Sequence, residues 1–423
     1  MHPLHHRLSS FTYLNLTQFL GALNDNIYKL LIVFFLIQLE GMGESHRILA
    51  LTGATFVLPF LLFSAISGIL ADRFSKRDII VTTKILELVI MGFAVFAFAV
   101  ESRICSYVVL FLLATQSAIF GPSKYGIVPE LVPTENISRA NGLMTSLTFL
   151  AIVLGTFLAS FLSQITGRNF IVSAIFCTFI ALVGVVTSFC IEETPPSGSK
   201  KKLEIFFWKE IWWSLNQACK HAALLPAMLG SAYFLFVGAF AQLNIIPFAV
   251  QSLGLSDIEG GYLFFLTAIG IGTGSLIAGK ISGKGVELGL VPLGAAGMAL
   301  TAFLLNLFAN TLSAVVVIVT LLGVFGGIFE IPLDSYIQIT SPKEERGQMV
   351  AATNFMSFIG VLFASGLVFV NAEWLGLPPD RGFSIIGGLT LGVGALFAWK
   401  LWDRLANFVK ICLWRLCCRA EQS

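Results

Sequence analysis

Apolar residues along this chain gather in runs of about 20, the length a helix needs to cross roughly 30 Å of bilayer hydrocarbon. Twelve such runs are predicted: residues 11–38, 47–71, 79–100, 104–128, 139–165, 169–191, 223–251, 258–281, 286–309, 312–338, 347–371 and 382–403. A transmembrane β-barrel would instead show short alternating segments. The expected fold is therefore an all-α polytopic membrane protein of twelve transmembrane helices.

One substantial polar break, 192–222, opens with EETPPSGSKKK and separates the runs into two sets of six. The predicted organisation is a six-helix bundle over 1–191, a cytoplasmic linker over 192–222, a second bundle over 223–403 and a basic cytoplasmic tail over 404–423. Within the linker, Phe206, Phe207, Trp208, Trp212 and Trp213 alternate with Lys209, Glu210 and Lys220, as expected of an amphipathic helix lying on the membrane surface. A simple tether is the alternative. The basic, aromatic tail is expected to rest on the same surface, with Cys417 and Cys418 as candidate lipid-attachment sites.

The two halves echo each other. RANGLMTS at 139–146 opens span 5 and VAATNFMS at 350–357 opens span 11, so that Asn141 and Asn354 precede similar apolar helices. Two six-helix halves with such an echo suggest a transporter built from repeats, with its substrate site between them.

Composition agrees with a membrane setting: 56% of residues are hydrophobic, 12% are charged and the mean hydropathy is +0.86. The net charge of +2 decides nothing, because the placement of lysine and arginine matters more than their sum. With both termini cytoplasmic, only five of the 26 lysines and arginines fall elsewhere: Arg47, Arg103, Arg168 and Arg381 outside, and Lys29 within a helix. That bias predicts the orientation. Seven scattered cysteines suggest neither a disulfide framework nor a zinc site, and His2, His5 and His6 sit in a start expected to be disordered. No nucleophile–base set, metal site, cofactor or nucleic-acid partner is expected, and the first apolar run is too long for a signal-peptide core.

Ionisable groups inside the spans carry the candidate chemistry, since such groups by default face a bundle interior or an aqueous cavity. In span 1, FLGALNDNIYKLL places Asp25 between Asn24 and Asn26, with Lys29 one turn further on. Either Asp25 pairs with Lys29 at i,i+4, or it faces a cavity and meets a cationic group or a proton. Lys124, in GPSKYG at the end of span 4, follows Gly121 and Pro122 and precedes Tyr125. It is either a binding cation or a lysine snorkelling to the interface.

In span 10, Glu330 and Asp334 share a helical face with Pro332 between them and Gln338 a turn beyond. Two ionised carboxylates so close repel, so a cation, a proton or a gate partner is expected there. Lys84 and Glu87, early in span 3, read as interfacial; Gln242 and Asn244, before Pro247 in span 7, are either cavity-lining or glue between helices.

The loop between spans 2 and 3, GILADRFSKRD from Gly68 to Asp78, closely resembles the signature loop of the major facilitator superfamily. Gly68 permits close helix contact, Asp72 can accept hydrogen bonds or face a positive helix N-terminus, and Arg73, Lys76 and Arg77 suit an anionic leaflet. The resemblance implies that Asp72 and Arg77 help to latch a cytoplasmic gate. The second-half loop GKISGKG is a weak echo.

GALNDNIYK in span 1, GPSKYGIVPEL with ANGLM in spans 4 and 5, and GGIFEIPLDSYIQ in span 10 together resemble the bacterial lysophospholipid transporters, a branch of that superfamily. The resemblance implies a location in the bacterial inner membrane and movement of lysophosphatidylethanolamine and related lysolipids from the outer to the inner leaflet. It further implies membrane lipids as surroundings, a cytoplasmic acyltransferase and acyl-carrier-protein synthetase as partners for reacylation, and a monomeric transporter.

No histidine has an aspartate five residues on, so the acyltransferase motif is missing. Two departures set the chain apart: span 7 offers Gln242 where relatives are associated with a basic residue, and Glu330 stands where an apolar residue is expected. A zwitterionic headgroup needs one cationic and one anionic partner. Lys124 is the expected phosphate contact and Asp25 the ammonium contact, with Asn24, Asn26 and Tyr125 supplying hydrogen bonds. The competing expectations are a proton-coupled exporter of amphipathic drugs or siderophores, which needs Asp25, Glu330 or Asp334 to titrate, and a non-transporting scaffold that docks an acyltransferase through 192–222 and 404–423.

Overall fold

The computed structural model describes residues 2–199, 201, 207–221 and 223–410, without the side chains of 2–8, Phe207, Asp257 and Ile258. Among the described residues there is no β-strand, and twelve helices are long and apolar enough to cross a membrane. These are α1 His2–Glu40, α2 Ser45–Arg73, α3 Lys76–Ala99, α4 Arg103–Gly126, α5 Ile137–Ile165, α6 Phe170–Phe189, α7 Leu224–Leu253, α8 Asp257–Ile281, α9 Leu290–Leu307, α10 Leu312–Thr340, α11 Arg346–Phe369 and α12 Pro379–Lys400. Number and order match the apolar runs.

Side-chain caps mark several helix starts. Ser75, Ser102 and Asn169 each accept from the backbone N–H three residues on, and Ser256 forms a reciprocal capping box with Glu259. The start of the chain is helical from His2 rather than disordered. Pro3 is tolerated in a first turn, where its missing N–H would have no partner, and each further residue added to an existing helix gains a backbone bond. In the linker a helix does form, Phe207–Cys219. Glu210, Ile211, Ser214 and Ala218 are buried along one side, while Trp208 and Trp212 are exposed. Phe206, the tail from 411 onward, and Cys417 and Cys418 lie outside the described residues.

The chain forms two compact units that cut across the sequence halves. One comprises Met1–Pro133, Leu150–Leu225 and Ile337–Phe358, the other Thr134–Phe149, Pro226–Tyr336 and Ile359–Ser423. In the first unit the start of α11 packs with helices of the opposite sequence half; in the second the start of α5 does so.

The core of the first unit is an apolar cluster built mainly from α1, α3, α4 and α6, in which the rings of Tyr28, Phe35, Phe98 and Phe170 pack together, Tyr28 stacked on Phe98 and the others tilted or edge-on. In the second unit, α8 and α10 touch backbone to backbone. A Cβ on Gly270 or Gly274 would run into the carbonyl oxygens of Thr320 and Val324, and one on Gly323 into that of Thr267. Small residues at such crossings replace the hydrophobic drive that lipid cannot supply. Gly274→Val is therefore expected to lower stability by about 1–3 kcal/mol or more, read as a fall in Tm of detergent-purified protein. Gly238→Ala, at a helical site with open space, is the control and should leave Tm unchanged or raised.

Candidate functional site

Lys84 and Glu87 are not interfacial. They form an ion pair, Nζ to Oε2 at 2.6 Å, with each side chain 1% exposed. Lys84 lies more than two turns into α3, which begins at Lys76, and its ammonium also sits 4.9 Å from the centroid of the Phe120 ring. Glu87 is held from three sides. Asn24 Nδ2 donates to Oε1 at 3.1 Å, Gln116 Nε2 donates to Oε2 at 3.4 Å, and Lys84 supplies the charge. A buried carboxylate costs several kcal/mol of lost hydration, and partners of this kind offset it.

Asp25 belongs to the same network. Ser117 of α4 donates to Asp25 Oδ2 at 2.6 Å, and Gln116 Nε2 donates to Ser117 Oγ at 3.1 Å. The i,i+4 pair with Lys29 does not form. Lys29 Nζ donates instead to Asn26 Oδ1 at 3.3 Å and lies 5.1 Å from the centroid of the Phe56 ring. Asn26 also donates to Ala22 O, and its Cβ faces Gly155 of α5, where a side chain would approach to 2.9 Å. It is thus committed to packing between α1 and α5.

Lys124 is half-buried in the last turn of α4, where the helix dipole favours a cation. Its ammonium lies 3.5 Å from Gln18 Oε1 and 4.6 Å from the centroid of the Tyr125 ring. Gln18 precedes Asp25 by seven residues on α1, so the two candidate charges are offset by roughly 10 Å along that helix.

In the second unit, Ser231 of α7 lies against both carboxyls of α10, 2.7 Å from Glu330 Oε1 and 3.1 Å from Asp334 Oδ1. The helical spacing thus holds, and the bridging serine comes from a helix distant in sequence. Gln242 is exposed, whereas Asn244 is buried and donates to Pro379 O at 2.8 Å, serving as glue between α7 and α12.

At the end of the first unit that carries the α2–α3 loop, Asp72 is buried and accepts from the backbone N–H groups of Gly347 and Gln348, at 2.7 and 2.9 Å. Gln348 Nε2 lies 3.4 Å from the same carboxylate. These N–H groups open α11, so Asp72 of α2 caps a helix of the other sequence half. Gly68 makes the approach possible: a Cβ there would stand 2.7 Å from Ala351 Cβ and 2.8 Å from Gln348 Cα.

The basic residues of the loop divide their work. Lys76 is wholly buried, bonded to Glu130 Oε1 at 2.7 Å and Ser197 Oγ at 2.6 Å, and so is not at the leaflet. Arg77 donates to Ile191 O and Phe189 O, at the C-terminal end of α6. Arg73 is exposed beside Phe74.

The repeat has a structural counterpart. Asn141 of α5 donates to Ser335 of α10 at 3.0 Å, and Asn354 of α11 stands against Gly121 of α4, where a Cβ would come within 3.3 Å of its Nδ2. Each repeated asparagine therefore meets the proline-containing helix of the opposite half. When Pro122 is matched to Pro332, Lys124 and Asp334 occupy equivalent places with opposite charge.

The family model of the Major Facilitator Superfamily matches residues 14–365, with a second match over 245–409. The chain belongs to the major facilitator superfamily. Solved members share the fold: the fucose:proton symporter FucP of E. coli at TM-score 0.75 and 14% identity, covering 92% of this chain and 97% of that one, and the human organic anion transporter TETRAN at TM-score 0.73 and 15% identity, covering 94% and 100%. Among curated relatives, the lysophospholipid transporter LplT of Klebsiella pneumoniae subsp. pneumoniae is 26% identical over 392 residues, covering 90% of this chain and 94% of its own. LplT of Photorhabdus laumondii is 25% identical over 399 residues, covering 92% and 95%. As a member of the superfamily the protein is a multi-pass membrane transporter, and the Gly68–Asp72 contact with α11 lies in the loop that resembles the superfamily signature.

Sequence reasoning missed Lys84, Glu87 and Gln116 as members of the polar network. The available signal was that Lys84 and Glu87 stand one turn apart, too far into an apolar run to snorkel.

Proposed function

We propose that this transporter moves lysophospholipids, lysophosphatidylethanolamine among them, from the outer to the inner leaflet of a bacterial cytoplasmic membrane, where a separate acyltransferase and acyl-carrier-protein synthetase reacylate them. The observation that carries the reading is the match, over nine tenths of this chain, to relatives named lysophospholipid transporters. Residues 1–191 and 223–403 act as the alternating halves of a monomer, with both termini cytoplasmic.

In this reading the headgroup makes two stops. Asp25, with one carboxylate oxygen free of hydrogen bonds, receives the ammonium. Lys124, about two turns away toward the other end of α1, receives the phosphate as a cation framed by the Tyr125 ring. An offset of roughly 10 Å favours successive contacts along a path over a single clamp. Asn24, Tyr125 and Gln242 supply further polar contacts on the way, and the acyl chain stays in lipid. Asp72 and Gly68 hold the gate at the loop end.

Lysolipid uptake into proteoliposomes tests the reading. Labelled lysophosphatidylethanolamine should enter with the parent protein, while Lys124→Ala and Asp25→Asn lose about tenfold or more, the scale of a hydrogen bond to a charged group, with insertion intact. Normal uptake by Lys124→Ala would sink the assignment. The contact of Ser231 with Glu330 and Asp334 favours a second reading, proton-coupled export of amphipathic compounds. Lysolipid uptake that persists when the proton gradient is collapsed removes it.

A further inference from the structure

The linker helix, Phe207–Cys219, is inside out for a helix surrounded by water. At 3.6 residues per turn, Trp208, Trp212, Leu215 and Cys219 make one stripe, while Glu210, Ser214 and Ala218 make another. The stripe that carries the acid is the one turned inward: Glu210 is 6% exposed, whereas Trp208 and Trp212 are 62% and 75% exposed. Lys201 completes the inner side, paired with Glu210 and lying 3.2 Å from the centroid of the Trp213 ring. On the membrane spans, Phe157 and Phe179 are exposed to a similar degree, as suits side chains that face lipid.

Depth and charge say what covers the aromatic stripe. The Trp208 ring packs edge-on against Phe355 of α11, with centroids 5.7 Å apart. Phe355 lies nine residues beyond Arg346, where α11 begins, or roughly 13 Å along the helix. The span to which it belongs, Arg346–Trp374, has 29 residues, and a centred hydrocarbon stretch of about 20 includes Phe355. The start of the linker helix is therefore level with the bilayer. Beside the stripe, Lys209, Asn216 and Lys220 are exposed, and Glu210 is the only acid from 207 to 221. The outward side is cationic, which complements an anionic leaflet.

We propose that this face of the linker helix is a docking surface for the anionic lipid of the leaflet at the α2–α3 loop end, the inner one in the orientation given above. Trp208, Trp212 and Cys219 enter the boundary between headgroups and acyl chains, and Lys209 and Lys220 meet the phosphates. Lys201 ties the same segment to Gln348 Oε1 at 2.8 Å, and the Gln348 amide also approaches Asp72. The surface thus anchors the start of α11 beside its contact with α2. It requires a bilayer and is independent of the lysolipid reading.

Spin labels on the full-length protein test this in nanodiscs made from phosphatidylcholine and phosphatidylglycerol in equal parts. One protein keeps Cys219 as its only cysteine, the other six being replaced by alanine. A second carries Cys219→Ala as well, with Asn216→Cys on the polar side as the comparison. Oxygen concentrates in the bilayer and a nickel chelate in water, so the ratio of their relaxation effects reports depth. That ratio is expected to be several-fold higher at Cys219 than at Asn216→Cys.

Lys209→Gln together with Lys220→Gln should weaken attachment by about thirtyfold, the combined effect of two basic side chains near an anionic surface. The ratio at Cys219 should then fall toward that at Asn216→Cys. Discs of phosphatidylcholine alone should lower it in the same way and need no further substitution. A nickel-dominated signal at Cys219 in the equal-part discs overturns the proposal, because the stripe is then left to water or to a soluble protein. An oxygen-dominated signal that is unchanged both in phosphatidylcholine alone and in the double lysine variant overturns the assignment to anionic lipid.

Discussion

Glu87→Ala is expected to cost about 3–5 kcal/mol of stability, the scale measured when one partner of a buried ion pair is removed and the other is left uncompensated. Lys84, 1% exposed, would lose the carboxylate it is bonded to, and the amide groups of Asn24 and Gln116 would lose their common acceptor. Lys84→Ala should cost a similar amount. The double substitution Lys84→Met with Glu87→Leu removes both charges at similar volume and should recover most of the loss, because apolar replacements of buried pairs are often neutral or stabilising. Denaturant or thermal unfolding of the purified proteins reads all three. Single substitutions that cost less than about 1 kcal/mol, the ceiling for exposed pairs, would show that water reaches the pair.

Asp72→Ala is expected to release α2 from α11. The carboxylate takes two backbone N–H groups at a helix start, and a hydrogen bond to a charged group contributes about 1.5–3 kcal/mol. Losing both should shift the balance between latched and open forms by about a hundredfold or more, since each 1.4 kcal/mol is a factor of ten. Gly68→Val should act the same way by sterics, because its side chain would enter the space of Ala351 and Gln348. A cysteine placed at Ala351, in a background without native cysteines, reports the change: it is buried in the latched form and should react with a polar thiol reagent much faster in either variant. Unchanged reactivity in Asp72→Ala would show that the contact does not hold this end closed.

Much of the architecture was legible before any coordinates. All twelve spans could be read from apolar length alone, and the GILADR pattern allowed a close helix contact at Gly68 and offered Asp72 either hydrogen bonds or a helix N-terminus. What the pattern did not reveal is which helix supplies that terminus. The start of α11 lies some 275 residues away in sequence, and no local rule reaches across such a distance. Similarly, the echo of Asn141 and Asn354 could be seen as a repeat, but their roles against α10 and α4 required the packed helices.

The ionisable residues divide more sharply. Spacing placed Glu330 and Asp334 on one face, and there they are, with Ser231 brought to them by α7. Spacing offered Asp25 and Lys29 the same arrangement, yet Lys29 turns to Asn26 and Phe56 while Asp25 finds Ser117. For Lys84 and Glu87 the early position in span 3 suggested the interface, whereas α3 begins at Lys76 and carries both well inside the bundle.

The sequence alone determined the helical class, the number of spans and the place of the loop motif, because crossing a bilayer depends on the length and apolarity of one continuous segment. The tertiary structure decided which charges are paired, which oxygens are left unmatched and which helix Asp72 caps. Those outcomes depend on distances of a few ångströms between side chains on different helices, and in a low-dielectric interior such distances decide whether a polar group is stabilised or stranded.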